Sequence, residues 1–82
     1  MDLSTHLTKM YGSNKNFAVM QKFCEQMAVG RSDMKERKHT RWAVIKTIYK
    51  FHDGSQLGIF LENGVPNRFE DYGNPLTPIN LA

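Results

Sequence analysis

The sequence predicts an α+β fold in which two or three N-terminal helices precede a three-stranded antiparallel β-meander. Apolar residues recur every three or four positions up to Met27, and at every second position from Arg41 onward. Turn signals at residues 52–54 and 63–64 then divide the second part into short strands. A winged-helix arrangement, with the hairpin as the wing, is the nearest named alternative.

Length and composition favour one small domain over residues 1–82, with residues 73–82 as an extended C-terminal tail. The hydrophobic fraction of 40% is ordinary for a globular chain, so we expect a core but little room for a deep substrate cavity. The lone Cys24 excludes an intramolecular disulfide and fits a reducing compartment. No secretion signal and no apolar run of membrane-spanning length is visible, so a cytoplasmic protein is expected.

Each of the first two predicted helices has one apolar stripe. The first is expected to end at Gly12 in the left-handed conformation, with Ser13 or Asn14 capping the next helix. The second is expected to cross the core and end at Gly30. The stripes consist of Leu3, Leu7, Met10 and Tyr11 in the first helix, and of Phe17, Met20, Cys24 and Met27 in the second, widened by Val19 and Phe23.

A further helical turn is predicted to begin at Ser32 and to reach Arg37 or Lys38. Ser32 is a favourable N-cap residue because its hydroxyl can accept a bond from an unpaired backbone N–H. Asp33 and Glu36 would lie near the positive end of this turn.

The register of the first two predicted strands depends on the loop between them. A two-residue turn at Asp53-Gly54 would put the apolar positions of the second strand opposite the lysine-bearing side of the first. A three-residue loop over residues 52–54, with Gly54 left-handed, instead pairs Tyr49 with Leu57. This choice unites the apolar positions on one face, and we favour it.

A second turn is indicated by Asn63-Gly64, and Pro66 marks the strand after it, around Asn67–Tyr72, as an edge strand. The pattern does not fix which side chains of that strand face the core. In the tail, three apolar residues are candidates for packing back onto the domain: Leu76, Ile79 and Leu81.

The charges are unevenly distributed along the chain. Ten of the eleven Lys and Arg residues lie in residues 1–50, which carry four acids and sum to +6, whereas residues 51–82 sum to −3. Five of the bases lie in Arg31–Arg41. A basic segment beside an acidic one suits binding to a charged partner, either nucleic acid (DNA or RNA) or an acidic protein surface.

The favoured register extends this basic segment onto one sheet face. Lys46 then lies opposite Phe60, a cation–π pair, on a face that also carries Trp42 and Lys50. A basic, aromatic sheet face can stack bases and hold phosphates. The candidate binding residues are Arg31, Lys35, Arg37, Lys38, Arg41, Trp42, Lys46, Lys50 and Phe60.

A structural interpretation of the same residues stays open. The tail or another segment would cover the aromatic face, and Asp33 and Glu36 would pair with neighbouring bases in a solvated connector. An exposed part of the methionine-rich stripe, or an edge strand, would also make a second copy of the chain a candidate partner.

Catalytic motifs are absent from the sequence. There is no glycine-rich phosphate loop, no paired cysteine and no two histidines with metal-ligand spacing, so no enzyme activity, cofactor or metal is expected. Cys24 is expected to be inert packing, and Asp53 to bond the backbone of its turn. Two functions therefore remain: a nucleic-acid-binding regulator or accessory protein of the kind found in bacteria and mobile elements, or a compact inhibitor or modulator of a larger host protein.

Overall fold

The computed structural model of the chain describes residues 2–74. Within this range two helices, α1 (Leu3–Leu7) and α2 (Phe17–Met27), precede four strands, and a π-helical turn (Thr8–Gly12) continues α1. The sheet is antiparallel in the order β1-β2-β3-β4, so the α+β class is confirmed with four strands in place of three. The strands are β1 (Gly30–Lys38), β2 (Arg41–Lys50), β3 (Gln56–Glu62) and β4 (Val65–Gly73).

The helical turn predicted from Ser32 is wrong, because those residues belong to β1. This strand pairs with β2 along its whole length, from Gly30 opposite Lys50 to Lys38 opposite Arg41. A weak local preference for helix is overridden when a neighbouring strand supplies a full ladder of hydrogen bonds. The chain reverses in a two-residue turn that starts at His39, whose φ is 57°. The winged-helix alternative is not supported, because residues 2–74 contain no third α-helix.

The three-residue loop between β2 and β3 is confirmed. Gly54 adopts a φ of +88°, and the Phe51 N–H donates to the Ser55 carbonyl at 2.9 Å on either side of the loop. Tyr49 lies opposite Leu57, as the favoured register requires. The apolar positions of the two strands therefore share one face, against which the helices pack.

The edge position of the last strand is also confirmed. The turn at Asn63-Gly64 has positive φ at both residues, 54° and 81°, which suits a two-residue hairpin. β4 carries one extra residue at Asn67 and another at Tyr72, and such bulges blunt an edge against further pairing. The tail residues Leu76, Ile79 and Leu81 lie outside the described residues.

Gly12 has a different role from the one predicted. It does not take a positive φ; Lys15 does, at 55°, between the two helices. A Cβ on Gly12 would lie 2.6 Å from the Phe69 ring, so close packing of the π-helical turn on β4 requires glycine. The predicted caps are wrong too, because Ser13 and Asn14 donate back to earlier carbonyls and α2 begins after Asn16.

The core lies between the helices and one face of the sheet. On α2 the predicted stripe is narrower than expected, since Met20 and Cys24 are fully buried while Phe23 and Met27 are partly exposed. The helical segments contact mainly β4 and leave the far end of the β1–β2 hairpin uncovered. Neither helix has the length and apolarity needed to cross a membrane, within residues 2–74. The buried apolar residues are Leu7, Met20, Cys24, Tyr49, Phe51, Leu57 and Ile59.

Candidate functional site

The hairpin of β1 and β2 projects beyond the rest of the sheet. The last pair between β2 and β3 joins Lys46 to Phe60, and from there β1 and β2 pair only with each other. We call residues 35–44 the ribbon. It contains four residues of each strand and a two-residue turn, and at about 3.3 Å per residue the four-residue strands extend roughly 13 Å. The ribbon contributes to an elongated shape of 50 × 26 × 20 Å, and residues 31–42 are all exposed.

A bulge at the base of the ribbon reverses which side chains face which side of the sheet. Met34 lies opposite Lys46. Its neighbour Lys35 lies opposite Val44, so Ile45 is an extra residue in β2. Successive β1 residues point to opposite faces, and cross-strand partners share a face. Val44 therefore lies on the face opposite Lys46.

This reversal divides the surface that the sequence predicted as one. Trp42 pairs with Arg37, two residues along from Lys35 and Val44, and so lies on their face. The sequence pattern cannot reveal the bulge, because alternation from residue 41 to 50 is unbroken. Trp42 nevertheless remains 65% exposed, the largest apolar side chain presented by the ribbon.

The ribbon is strongly basic. It carries four Lys or Arg residues and one Glu, for a formal charge of +3. None of the four bases forms an ion pair within residues 2–74, although Lys35 lies near enough to Asp33 to help lower the pKa of that carboxyl. The internal pairing of Glu36 that the structural interpretation requires is not seen among these residues. The four bases are Lys35, Arg37, Lys38 and Arg41.

Arg31 is separated from the ribbon by its own partners. Its guanidinium contacts both carboxylate oxygens of Glu25, at 2.8 and 3.0 Å, and Asp33 at 3.2 Å. The hydrogen bond from Thr47, followed by that from Arg31, holds the pKa of Asp33 below its usual value. The Tyr49 hydroxyl also donates to Glu25 at 3.0 Å, and burial raises the pKa of this phenol to about 12. Arg31 thus anchors β1 to α2 with its charge neutralised.

Lys46 and Phe60 form a cluster on the opposite face of the sheet from Trp42. The predicted cation–π contact is confirmed, with Lys46 Nζ 4.9 Å from the Phe60 ring centroid. Arg68 lies 4.0 Å from the same ring, and Lys46 also lies 5.0 Å from the Tyr72 ring and 3.7 Å from Glu70. The aromatic ring is therefore already engaged by the protein's own cations. The β4 residues of this cluster were not predicted, because the sequence pattern does not fix which side chains of that strand face the core. They are Arg68, Glu70 and Tyr72.

Lys50 lies at the base of the hairpin, opposite Gly30, far along β2 from the ribbon. The structure thus brings together five of the nine predicted site residues and places the other four elsewhere. Those it brings together in the ribbon are Lys35, Arg37, Lys38, Arg41 and Trp42.

An open cleft of about 760 Å³ lies between the ribbon and the β3–β4 turn. Trp42, Val44 and Leu61 line it with apolar surface. The basic residues Lys38 and Arg41 line it at the ribbon tip. No Asp or Glu is among its lining residues in the described part of the chain. The lining residues are Lys38, His39, Thr40, Arg41, Trp42, Ala43, Val44, Leu61, Asn63 and Gly64.

Two reactive side chains that the sequence singled out, Cys24 and Asp53, have structural surroundings. Burial raises the pKa of the Cys24 thiol to about 12, so the thiolate is scarce near neutral pH. Asp53 accepts bonds from the Ser55 hydroxyl at 2.6 Å, the Leu3 N–H at 2.8 Å and the Ser55 N–H at 2.9 Å, which lower its pKa to about 2. Asp53 thus makes the expected bond to the backbone of its own turn, and its bond from Leu3 also joins the β2–β3 loop to α1. Over residues 2–74, no three of His, Cys, Asp and Glu cluster as a metal site would require.

Comparison with known proteins returns no match among protein-family models, curated proteins or solved structures.

Proposed function

We propose that this chain is a non-enzymatic nucleic-acid-binding protein and that the ribbon is its binding element. The observation that carries the proposal is the projecting hairpin, which presents four basic residues that form no ion pair within residues 2–74, beside an exposed tryptophan. Lys and Arg side chains that are not neutralised internally displace the counterions condensed on the phosphates, and this release supplies essentially all of the sequence-independent affinity for nucleic acid.

The shape of the ribbon supports the same function. Two paired strands make a narrow element whose side chains reach a ligand from both faces, and β-ribbons are among the elements with which proteins contact nucleic acid. Three of the basic residues lie on β1 and one on β2, and Lys38 and Arg41 flank the turn, so a phosphate backbone passing the tip would meet several of them. Arg37 and Arg41 can each fork onto two phosphate oxygens, whereas Lys35 and Lys38 act as point charges.

The test is a charge reversal with a matched control. Arg37→Glu/Lys38→Glu changes the net charge by −4 in the ribbon, and Lys9→Glu/Lys22→Glu makes the same change on exposed helix positions. Labelled oligonucleotides are titrated against each variant and the wild type by fluorescence anisotropy. We expect the ribbon variant to lose at least tenfold in affinity and the control to lose far less. Equal losses would show that only net charge matters and would contradict the proposal.

Salt dependence supplies an independent measure of the same contacts. Four phosphate contacts correspond to a log–log slope of about −3 to −4, or roughly a 50- to 150-fold loss of affinity between about 50 and 200 mM salt. In the ribbon variant the slope should become shallower by about 2. Binding that does not change with salt would exclude the phosphate mechanism.

A second candidate function is docking onto an acidic protein surface through the same ribbon. Its support is the composition of the tip, because arginine and tryptophan dominate the energetic centres of protein interfaces. A nuclease-treated lysate should then yield a partner that wild type retains and Arg37→Glu/Lys38→Glu loses. If the captured proteins are the same for both, the ribbon is not the docking site.

A further inference from the structure

We infer that the cleft beside the ribbon binds an unpaired nucleobase, stacked on Trp42, so that the preferred ligand is single-stranded nucleic acid. This inference rests on the proposed function and narrows it. The phosphate contacts of the ribbon alone do not distinguish single strands from duplexes, but an aromatic surface within a basic cleft does.

Trp42 supplies the stacking surface. It is 65% exposed and lies on the wall of the cleft, with Val44 and Leu61 forming apolar surroundings. The bulge at Ile45 places it on the opposite face from Lys46 and Phe60, where the protein's own cations already engage the aromatic ring. No described side chain stacks on the indole in the same way. Base stacking on such a ring is worth about 10- to 100-fold in affinity and tolerates any base.

The rest of the cleft matches the other parts of a nucleotide. Lys38 and Arg41 pair with each other on the ribbon face opposite Trp42, yet both line the cleft at the tip, where they can contact the phosphates of a strand that passes around it. Arg37, which shares the face of Trp42, can contact the phosphate next to the stacked nucleobase. Asn63 lies across the cleft and offers an amide that can bond to a base edge. The described lining contains no carboxylate that would repel the phosphate backbone.

A duplex does not fit this arrangement, because its bases are stacked on one another and would have to be extruded before one could reach Trp42. An extended peptide is a second occupant to consider, since β2 has no partner on the cleft side beyond Lys46 within residues 2–74. Strand addition needs a regular edge, however, and the extra residue at Ile45 interrupts the edge where the peptide would pair. The observations therefore favour the single strand.

The experiment compares one labelled oligonucleotide as a single strand and as a duplex against wild type, Trp42→Leu and Trp42→Phe. Because the side chain is exposed, each variant is expected to fold, and its urea midpoint checks this. Wild type should bind the single strand at least tenfold more tightly than the duplex. Trp42→Leu should lose about 10- to 100-fold for the single strand and less than twofold for the duplex, whereas Trp42→Phe should lose about threefold.

The outcomes separate the two proposals. Equal affinity for both ligands, or single-strand binding by Trp42→Leu at the wild-type level, overturns the cleft inference, leaves the ribbon as a phosphate-binding element and makes an extended peptide the next occupant to test. No binding of either ligand by folded wild type overturns the proposed function together with the inference.

Discussion

Arg37 and Trp42 lie directly opposite each other across the β1–β2 ribbon, and both are exposed. Opposed residues in an antiparallel pair share a face, with Cβ atoms about 5 Å apart. A nucleotide whose base stacks on the indole therefore brings its phosphate within reach of the guanidinium. The two side chains should act on a bound strand as a unit.

This pairing predicts energetic coupling between the two residues. In a double-mutant cycle for single-strand binding, Arg37→Ala and Trp42→Leu should combine non-additively, with a coupling energy of about 0.5–1.5 kcal/mol. The same cycle run with Lys50→Ala in place of Arg37→Ala provides the control, since Lys50 lies at the far end of β2. Additive losses for the Arg37–Trp42 pair would show that the two residues contact the ligand independently.

Arg31 should behave differently from the ribbon bases despite its place in the same basic segment. Glu25 and Asp33 already neutralise it, so Arg31→Ala should change nucleic-acid affinity less than twofold and leave the salt slope unaltered. Arg37→Ala should make the slope shallower by about 1. Arg31→Ala should also have little effect on the free energy of unfolding. Arg31 and Glu25 are both exposed, and exposed ion pairs contribute only about 0.2–1 kcal/mol. A large loss of binding in Arg31→Ala would place the interface at the base of the hairpin instead.

The stability of the fold should fall in acid as Asp53 is protonated. Its pKa is about 2 in the folded protein, below the value of about 3.9 in an unfolded chain. A depressed folded-state pKa stabilises the fold above pH 4, and this stabilisation is lost as the pH falls from 4 to 2. Wild type and Asp53→Asn should therefore differ in free energy of unfolding at pH 6 and converge toward pH 2. Urea titrations at several pH values measure the difference, and a gap independent of pH would contradict the assignment.

Close packing at Gly12 predicts a sharp sensitivity to added volume. Gly12→Ala should destabilise the protein by roughly 1–3 kcal/mol, because the new Cβ would meet the Phe69 ring at 2.6 Å. Gly30→Ala is the matched control. The new Cβ would lie 3.6 Å from Lys50, an ordinary contact distance, and Gly30 does not have a positive φ that would strain alanine. Chemical denaturation of both variants measures the two free energies of unfolding. If Gly12→Ala is as stable as Gly30→Ala, the π-helical turn is not packed against β4 as described.

The parts of the fold that follow from local chemistry were predictable from the sequence. The turn signal at Gly54 predicted the loop, and the two-residue periodicity of the strands then predicted that Tyr49 pairs with Leu57. The same register predicted the contact between Lys46 and Phe60. β1 was not predictable, because its charged, exposed residues acquire strand structure only through pairing with β2.

The candidate site was predictable only in part. The dense charge between residues 31 and 41 marked the ribbon, but the bulge at Ile45 leaves no trace in residue type and moves Trp42 to the other face. The neutralisation of Arg31 depends on Glu25, six residues earlier on a different element. Contacts of this kind arise from the tertiary arrangement, so the periodicity of the sequence does not predict them.

The central claim is that the ribbon is the surface that contacts nucleic acid. The most direct measurement is a titration of ¹⁵N-labelled protein with a short single-stranded oligonucleotide, followed residue by residue through backbone amide and Trp42 indole chemical shifts. We predict that the largest changes fall in residues 35–44 and on the indole, while the amides of α2 barely move. Changes concentrated on the helices, or none at concentrations where the protein stays folded, would contradict the claim.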